Sequence, residues 1–182
     1  MLLFSALVPR AEAAESFGLD LGGHPITNLT PDGSRVVVLI FAASDCPISN
    51  RYVPEIARLS REFSSGVHFW WVFPNPEDTA AVVAKHDREF SIAEPAVLDV
   101  QQTLVRLAHA RITPEAAVFV VESGGLREVY HGRIDDRYLA FGQERPAAQH
   151  HELEEAIAAA LAGRSAPPAG PPVGCVIEPL RP

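Results

Sequence analysis

One cysteine in this chain stands where a sulfur becomes reactive. The run Phe41-Ala42-Ala43-Ser44-Asp45-Cys46-Pro47-Ile48-Ser49 puts Cys46 just after an apolar stretch and just before a helical pattern. Free N–H groups and the dipole at a helix N-terminus favour the thiolate, which is the nucleophilic form of the thiol. Asp45 acts the other way, because its charge disfavours a second negative charge beside it. The only other cysteine is Cys175, at the end of Pro167-Pro168-Ala169-Gly170-Pro171-Pro172-Val173-Gly174. An even cysteine count raises the expectation of a bridge if the chain is exported.

The remaining polar candidates read as structural. The seven histidines do not fall at metal-ligand spacing, and His150-His151 reads as a solvated turn before a helix. His131, at the end of a hairpin strand, reads as a structural or exposed imidazole, with a place facing the thiol as the alternative. Asp99 reads as a helix cap. Arg133, Asp135, Asp136 and Arg137 read as a solvated loop, with room for Arg133 to approach the thiol.

The elements that must hold Cys46 are legible in the apolar pattern. Val36-Val37-Val38-Leu39-Ile40-Phe41 has no polar break, which suits a strand buried on both faces. From Ile48, apolar side chains recur at Tyr52, Ile56, Leu59 and Phe63, a helical period. Pro47 suits the first turn of that helix, and Pro54 is expected to kink it. Val67 to Phe73 predicts a second buried strand, closed by Pro74 and Pro76. Adjacent Trp70 and Trp71 then face opposite sides of the sheet. A helix over 79–90 with Asp78 as cap follows, then a strand over 96–98 and a helix over 101–109. A strand over 116–121 turns at Gly124-Gly125 into a partner over 126–131. A last helix over 152–161 stops at Gly163. Gly18 to Leu29 reads as an edge hairpin, and the tail from Ser165 to Gly174 as extended and mobile. This order is that of an α/β sandwich with a mixed sheet.

Bulk properties narrow the function. The 182 residues suit one domain with a real core. A formal net charge of −8 argues against a nucleic-acid partner. No apolar run reaches the roughly 20 residues of a membrane span. Leu2, Leu3, Phe4, Ala6, Leu7 and Val8, followed by Ala11-Glu12-Ala13, resemble an export signal without its basic start. A frayed terminal segment is the other reading. The expected organisation is a leader at 1–14, a domain at 15–163 and a Pro-rich tail at 164–182 carrying Cys175.

With its strand, Cys46-Pro47-Ile48-Ser49 and Pro54-Glu55-Ile56, the chain resembles the thioredoxin superfamily. Ile112-Thr113-Pro114 before a strand, and Gly124-Gly125-Leu126 through Tyr130-His131-Gly132-Arg133-Ile134-Asp135, are similar to its exported AhpC/TSA- and TlpA-like redoxins. The resemblance implies a thioredoxin-like three-layer sandwich with a central mixed sheet, and Cys46 as the nucleophile. Pro47 and Ser49 would flank that thiol. Thr113 and Pro114 would form the cis-proline edge that pairs with an extended substrate. The implied activity is thiol-disulfide exchange in an extracytoplasmic setting, periplasmic or secreted, without cofactor or metal. Its implied partners are a protein disulfide or small oxidant and an external thiol reductant.

The departures shape that expectation. Ser49 stands where the family has a second cysteine, so Cys46 needs another thiol to resolve a mixed disulfide. An extended tail, advancing about 3.1 Å per residue, is long enough to return Cys175 to Cys46 for that purpose. A structural staple or an unpaired thiol are the alternatives. Ile40 occupies the place of the family's buried acid. Ala43 and Leu39 replace the Thr and Pro of the peroxidase branch, leaving thiol peroxidase as a weak alternative. Asn50 and Thr113 count against the copper-binding branch. A redox-inactive binding module with a locked bridge is the non-enzymatic alternative.

Overall fold

A computed structural model describes residues 16–180; the expected leader at 1–14 lies outside them. After a single 3-10 turn at Pro31–Gly33, the elements in chain order are β1 (Val36–Phe41), α1 (Pro47–Glu62), β2 (Val67–Phe73), α2 (Ala80–Phe90), β3 (Ala96–Leu98) and α3 (Thr103–Ala108). They continue with β4 (Ile112–Thr113), β5 (Glu115–Glu122), β6 (Gly125–Gly132), β7 (Tyr138–Ala140), β8 (Gln143–Glu144), α4 (Glu152–Leu161) and β9 (Cys175–Val176).

The apolar runs become the centre of a five-stranded sheet ordered β3-β2-β1-β5-β6. β1 runs parallel to β2 and antiparallel to β5, so the sheet is mixed. All six residues of β1 are buried, because both faces of the sheet are covered. On one face, Ile48, Tyr52, Ile56 and Leu59 of α1 and Leu153, Ala156 and Ile157 of α4 pack with Trp71 and Phe73. On the other, Leu104, Val105 and Ala108 of α3 pack with Ile26, Leu29 and Trp70. The two tryptophans therefore lie on opposite faces, as strand alternation requires. Each fully buried large apolar side chain contributes roughly 1.5–3 kcal/mol. The result is three layers, helices on both sides of a mixed sheet.

Several local expectations change. The edge hairpin does not end on itself: Leu19 bridges both Pro25 and Leu98, extending the sheet beyond β3. Gly18, at φ +146°, permits this approach, since a Cβ there would lie 2.6 Å from Val97 Cγ1 and 2.8 Å from the Leu98 carbonyl oxygen. Thr79, not Asp78, caps α2, its hydroxyl accepting the Val82 N–H. Asp99 serves α3 from outside the helix, accepting the N–H groups of Thr103, Leu104 and Val105 at 2.6, 2.9 and 3.0 Å. Burial pushes its pKa up to about 6, opposed by those three amides. Pro54 is exposed, and α1 continues past it to Glu62.

The expected solvated loop is largely buried. Asp135 accepts the Tyr52 hydroxyl at 2.5 Å and the Arg137 N–H at 2.9 Å. Asp136 accepts the N–H groups of Gln149 and His150 and pairs with Arg145 at 3.0 Å. These carboxylates tie the loop after β6 to α1 and to the start of α4.

The tail is extended but docked. The Arg133 N–H donates to the Gly170 carbonyl, and β9 pairs antiparallel with β4, Cys175 opposite Thr113 and Val176 opposite Ile112. The Ile177 N–H reaches the Arg111 carbonyl at 2.9 Å, its side chain is buried, and the Gln102 side-chain amide donates to the Glu178 carbonyl at 2.6 Å. Composition predicts flexibility from local preference alone, and these contacts come from residues far away in sequence.

Candidate active site: a polarised pair of thiols

Cys46 occupies the cap position of α1, where β1 hands the chain to the helix. Its own carbonyl accepts the Asn50 N–H, and Pro47 takes the first helical position. The thiol is directed to the turn between β4 and β5. There its sulfur lies 3.3 Å from the Thr113 carbonyl oxygen, beside the cis Thr113-Pro114 peptide.

β9 completes the site. Cys175 Sγ sits 2.9 Å from Cys46 Sγ, its thiol directed to the Cys46 sulfur, and neither cysteine is in a disulfide. Covered this way, Cys46 is only 1% exposed, whereas Cys175 remains partly exposed.

The two sulfurs are electrostatically unlike. Burial pushes the Cys46 thiol up, but hydrogen bonds from the Cys175 thiol, from the Ser49 N–H and hydroxyl and from the Ile48 N–H carry it below the ordinary value of 9.0. Cys175 is pushed up to about 12, first by burial and then by the neighbouring Cys46 and Asp45 charges. Asp45 therefore acts on the tail cysteine. The arrangement makes Cys46 the more acidic of the two thiols and keeps the proton on Cys175.

Of the residues expected at the site, Cys46, Cys175, Ser49 and Thr113 meet here, with Pro114 completing the turn, while Pro47 is exposed and lines a separate pocket with Arg51 and Tyr138. Ser49 is 1% exposed, and its buried hydroxyl is among the groups that lower the Cys46 pKa. We expect Ser49→Ala to raise the Cys46 pKa. Alkylation of Cys46 near pH 7 should slow by about tenfold, the scale of one charge-assisted hydrogen bond. The two proteins should converge at alkaline pH, where both are thiolate. Iodoacetamide kinetics across pH, with ultraviolet thiolate absorbance, measure this; unchanged profiles would remove Ser49 from the site.

The Thr113-Pro114 bond is cis and faces Cys46, but its strand edge is not open. The strand edge meant for an extended substrate is already paired, by β9 of the same chain. Arg133 does not approach the thiols but pairs with Glu152 on α4. His131 stands on β6, opposite Ala117 of β5. Its Nε2 lies 2.7 Å from Glu115 Oε1, while Glu115 Oε2 accepts the Arg111 and Ile112 N–H groups. Glu115 holds the His131 pKa above its ordinary value. His151 approaches the carboxylates of Glu55 and Glu154, and Arg58 already supplies both with a cation.

Sequence reasoning missed two groups. Asp78 accepts the Ser44 N–H at 3.1 Å and the Ser44 hydroxyl, bracing the loop that leads into Cys46. Asn50 donates to the Ser44 carbonyl, and its Oδ1 lies 2.7 Å from His86 Nε2. Asp78 lies directly before the α2 cap, and that position suggested capping alone.

No family model and no curated protein matches the sequence. Solved structures do match. An uncharacterized conserved protein from Geobacillus kaustophilus shares 25% identity at a TM-score of 0.75, over 94% of this chain and 93% of its own. A thioredoxin-like protein from Aeropyrum pernix aligns at 17% identity and TM-score 0.54, over 81% and 89% of the two chains. A secreted disulfide oxidoreductase of Mycobacterium tuberculosis, homologous to E. coli DsbE, aligns at 13% identity and TM-score 0.53, over 80% and 93%. With its mixed five-stranded sheet between helical layers and Cys46 at the head of α1, the chain has a thioredoxin-like fold.

Proposed function

We propose that the protein is a thiol-disulfide oxidoreductase whose redox couple is Cys46 and Cys175. The observation that carries this reading is the 2.9 Å separation of two sulfurs with opposite protonation preferences. Cys46 is the nucleophile. Its thiolate attacks one sulfur of an oxidising disulfide, forming a mixed disulfide and releasing the other sulfur as a thiolate. Cys175 gives its proton to that departing thiolate and attacks Cys46, displacing the second substrate thiolate. Two electrons have passed from the protein to the substrate, and Cys46–Cys175 is a disulfide.

Ser49 cannot perform the resolving step, and β9 supplies the thiol that does. Bond formation requires the sulfurs to close by only about 0.9 Å, to the ordinary disulfide length of about 2.05 Å. An external thiol then restores the reduced pair. No helix among the described residues is long and apolar enough to cross a membrane, and an oxidising, extracytoplasmic compartment suits the couple.

The test is stoichiometric oxidation. One equivalent of diamide should remove both free thiols from the reduced protein, and peptide mapping should find Cys46 joined to Cys175. Dithiothreitol should reopen the bond readily. Intermolecular crosslinks alone would refute the reading, and a bond resistant to dithiothreitol would identify a structural staple.

A further inference from the structure

The proposed couple leaves open which sulfur meets the outside reductant. The geometry is unequal. Cys46 is 1% exposed, beneath β9, and its sulfur faces the Thr113 carbonyl. Cys175 is partly exposed and lines a groove shared with Asp45, Glu77, Asp78 and Glu178. A bond to Cys46 tethers β9 in this place, so the oxidised protein offers the Cys175 sulfur.

The groove has one sign of charge. Four carboxyl groups line it, and no lysine or arginine does among the described residues. Asp78 is 3% exposed, and its Oδ2 has no hydrogen-bond partner among the described residues, although its Oδ1 is held by Ser44. The Oδ2 oxygen is buried behind the groove wall, and the described residues leave it unsatisfied. One-signed clefts concentrate ligands of the opposite sign.

We infer that Cys175 is the entry thiol for reduction, and that its reductant is a dithiol carrying positive charge next to its attacking sulfur. This rests on the proposed Cys46–Cys175 couple. In the first step the reductant thiolate attacks Cys175 Sγ. The Cys175–Cys46 bond breaks, a reductant–Cys175 disulfide forms, and Cys46 leaves as a thiolate. In the second, the reductant's other thiol gives up its proton and attacks its own sulfur in that mixed disulfide. The Cys175 thiolate departs and takes up the proton. Two electrons have moved from the dithiol to the protein.

The departing sulfur supports this polarity. Ser49, Ile48 and the helix start stabilise the Cys46 thiolate, and exchange is faster when the more acidic thiol leaves. The polarity reverses the one implied by the family resemblance, in which the cysteine at the helix start takes the external attack.

Oxidised full-length protein treated briefly with 2-mercaptoethanol and quenched with excess iodoacetamide tests the polarity. Mass spectrometry should find mercaptoethanol on Cys175 and the carbamidomethyl group on Cys46, at least about tenfold over the reverse pattern. The reverse or an equal distribution would overturn the inference while leaving the couple intact. Failure to form the internal disulfide at the outset would overturn the couple itself, and this inference with it. For the charge requirement, cysteamine should reduce the disulfide about fivefold faster than 3-mercaptopropionate per thiolate in low salt, and the advantage should fade as salt rises. It should also shrink in D45N/E178Q. Equal rates would remove the cationic partner.

Discussion

Serine in place of Cys46 is expected to reduce disulfide-exchange turnover by at least about a thousandfold, the scale on which enzymes lose activity with their covalent nucleophile. A serine hydroxyl stays protonated where the cysteine thiol can ionise, because the Ser49 and Ile48 groups that acidify the thiol cannot bring an alcohol into the neutral range. The fold should tolerate the change. In its protonated form the Cys46 thiol donates to the Thr113 carbonyl at 3.3 Å, and a hydroxyl keeps that donor. The cost should stay within about 1 kcal/mol. Disulfide-reduction kinetics beside thermal unfolding measure both quantities. Substantial turnover in a folded Cys46→Ser protein would transfer the chemistry to Cys175.

Gly174→Ala is expected to expose Cys46 without touching either sulfur. A Cβ at position 174 would lie 2.0 Å from the Thr113 carbonyl oxygen and 2.7 Å from its carbonyl carbon. Both are backbone atoms of the strand that β9 pairs with, so no side chain can move aside. The strand must shift or leave. Alkylation of Cys46 in the reduced protein should then rise at least about tenfold, the equivalent of 1.4 kcal/mol of lost protection. Formation of the Cys46–Cys175 disulfide should slow, because the second thiol is no longer held at 2.9 Å. Iodoacetamide kinetics and diamide titration of the same protein check the two halves. Unchanged rates in both would mean that β9 does not gate the thiol.

Much of this architecture is written in local pattern. β1 and β2 are uninterrupted apolar runs, and strands buried on both faces demand that. The α1 period places Ile48, Tyr52, Ile56 and Leu59 on one face, where the core lies. Cys46 is legible because a cysteine between such a strand and such a helix has few other positions open to it.

Long-range pairings leave weaker traces. Asp78 engages Ser44 across 34 positions, and nothing near either residue announces it. Glu115 and His131 lie on paired strands, and their meeting depends on register. The docking of the tail was hidden by its own composition, since Pro and Gly report backbone freedom and not destination. One trace was present. Gly174 directly before Cys175 is the residue that permits contact with another backbone.

The 129 positions between Cys46 and Cys175 couple redox state to folding. A crosslink over that span removes from the unfolded ensemble conformational freedom worth roughly 5 kcal/mol. Linkage is reciprocal. Whatever the crosslink adds to resistance against denaturation, the native state returns as preference for the oxidised couple. A change in midpoint potential under urea and a change in melting temperature under reductant are therefore one free energy, read on two instruments.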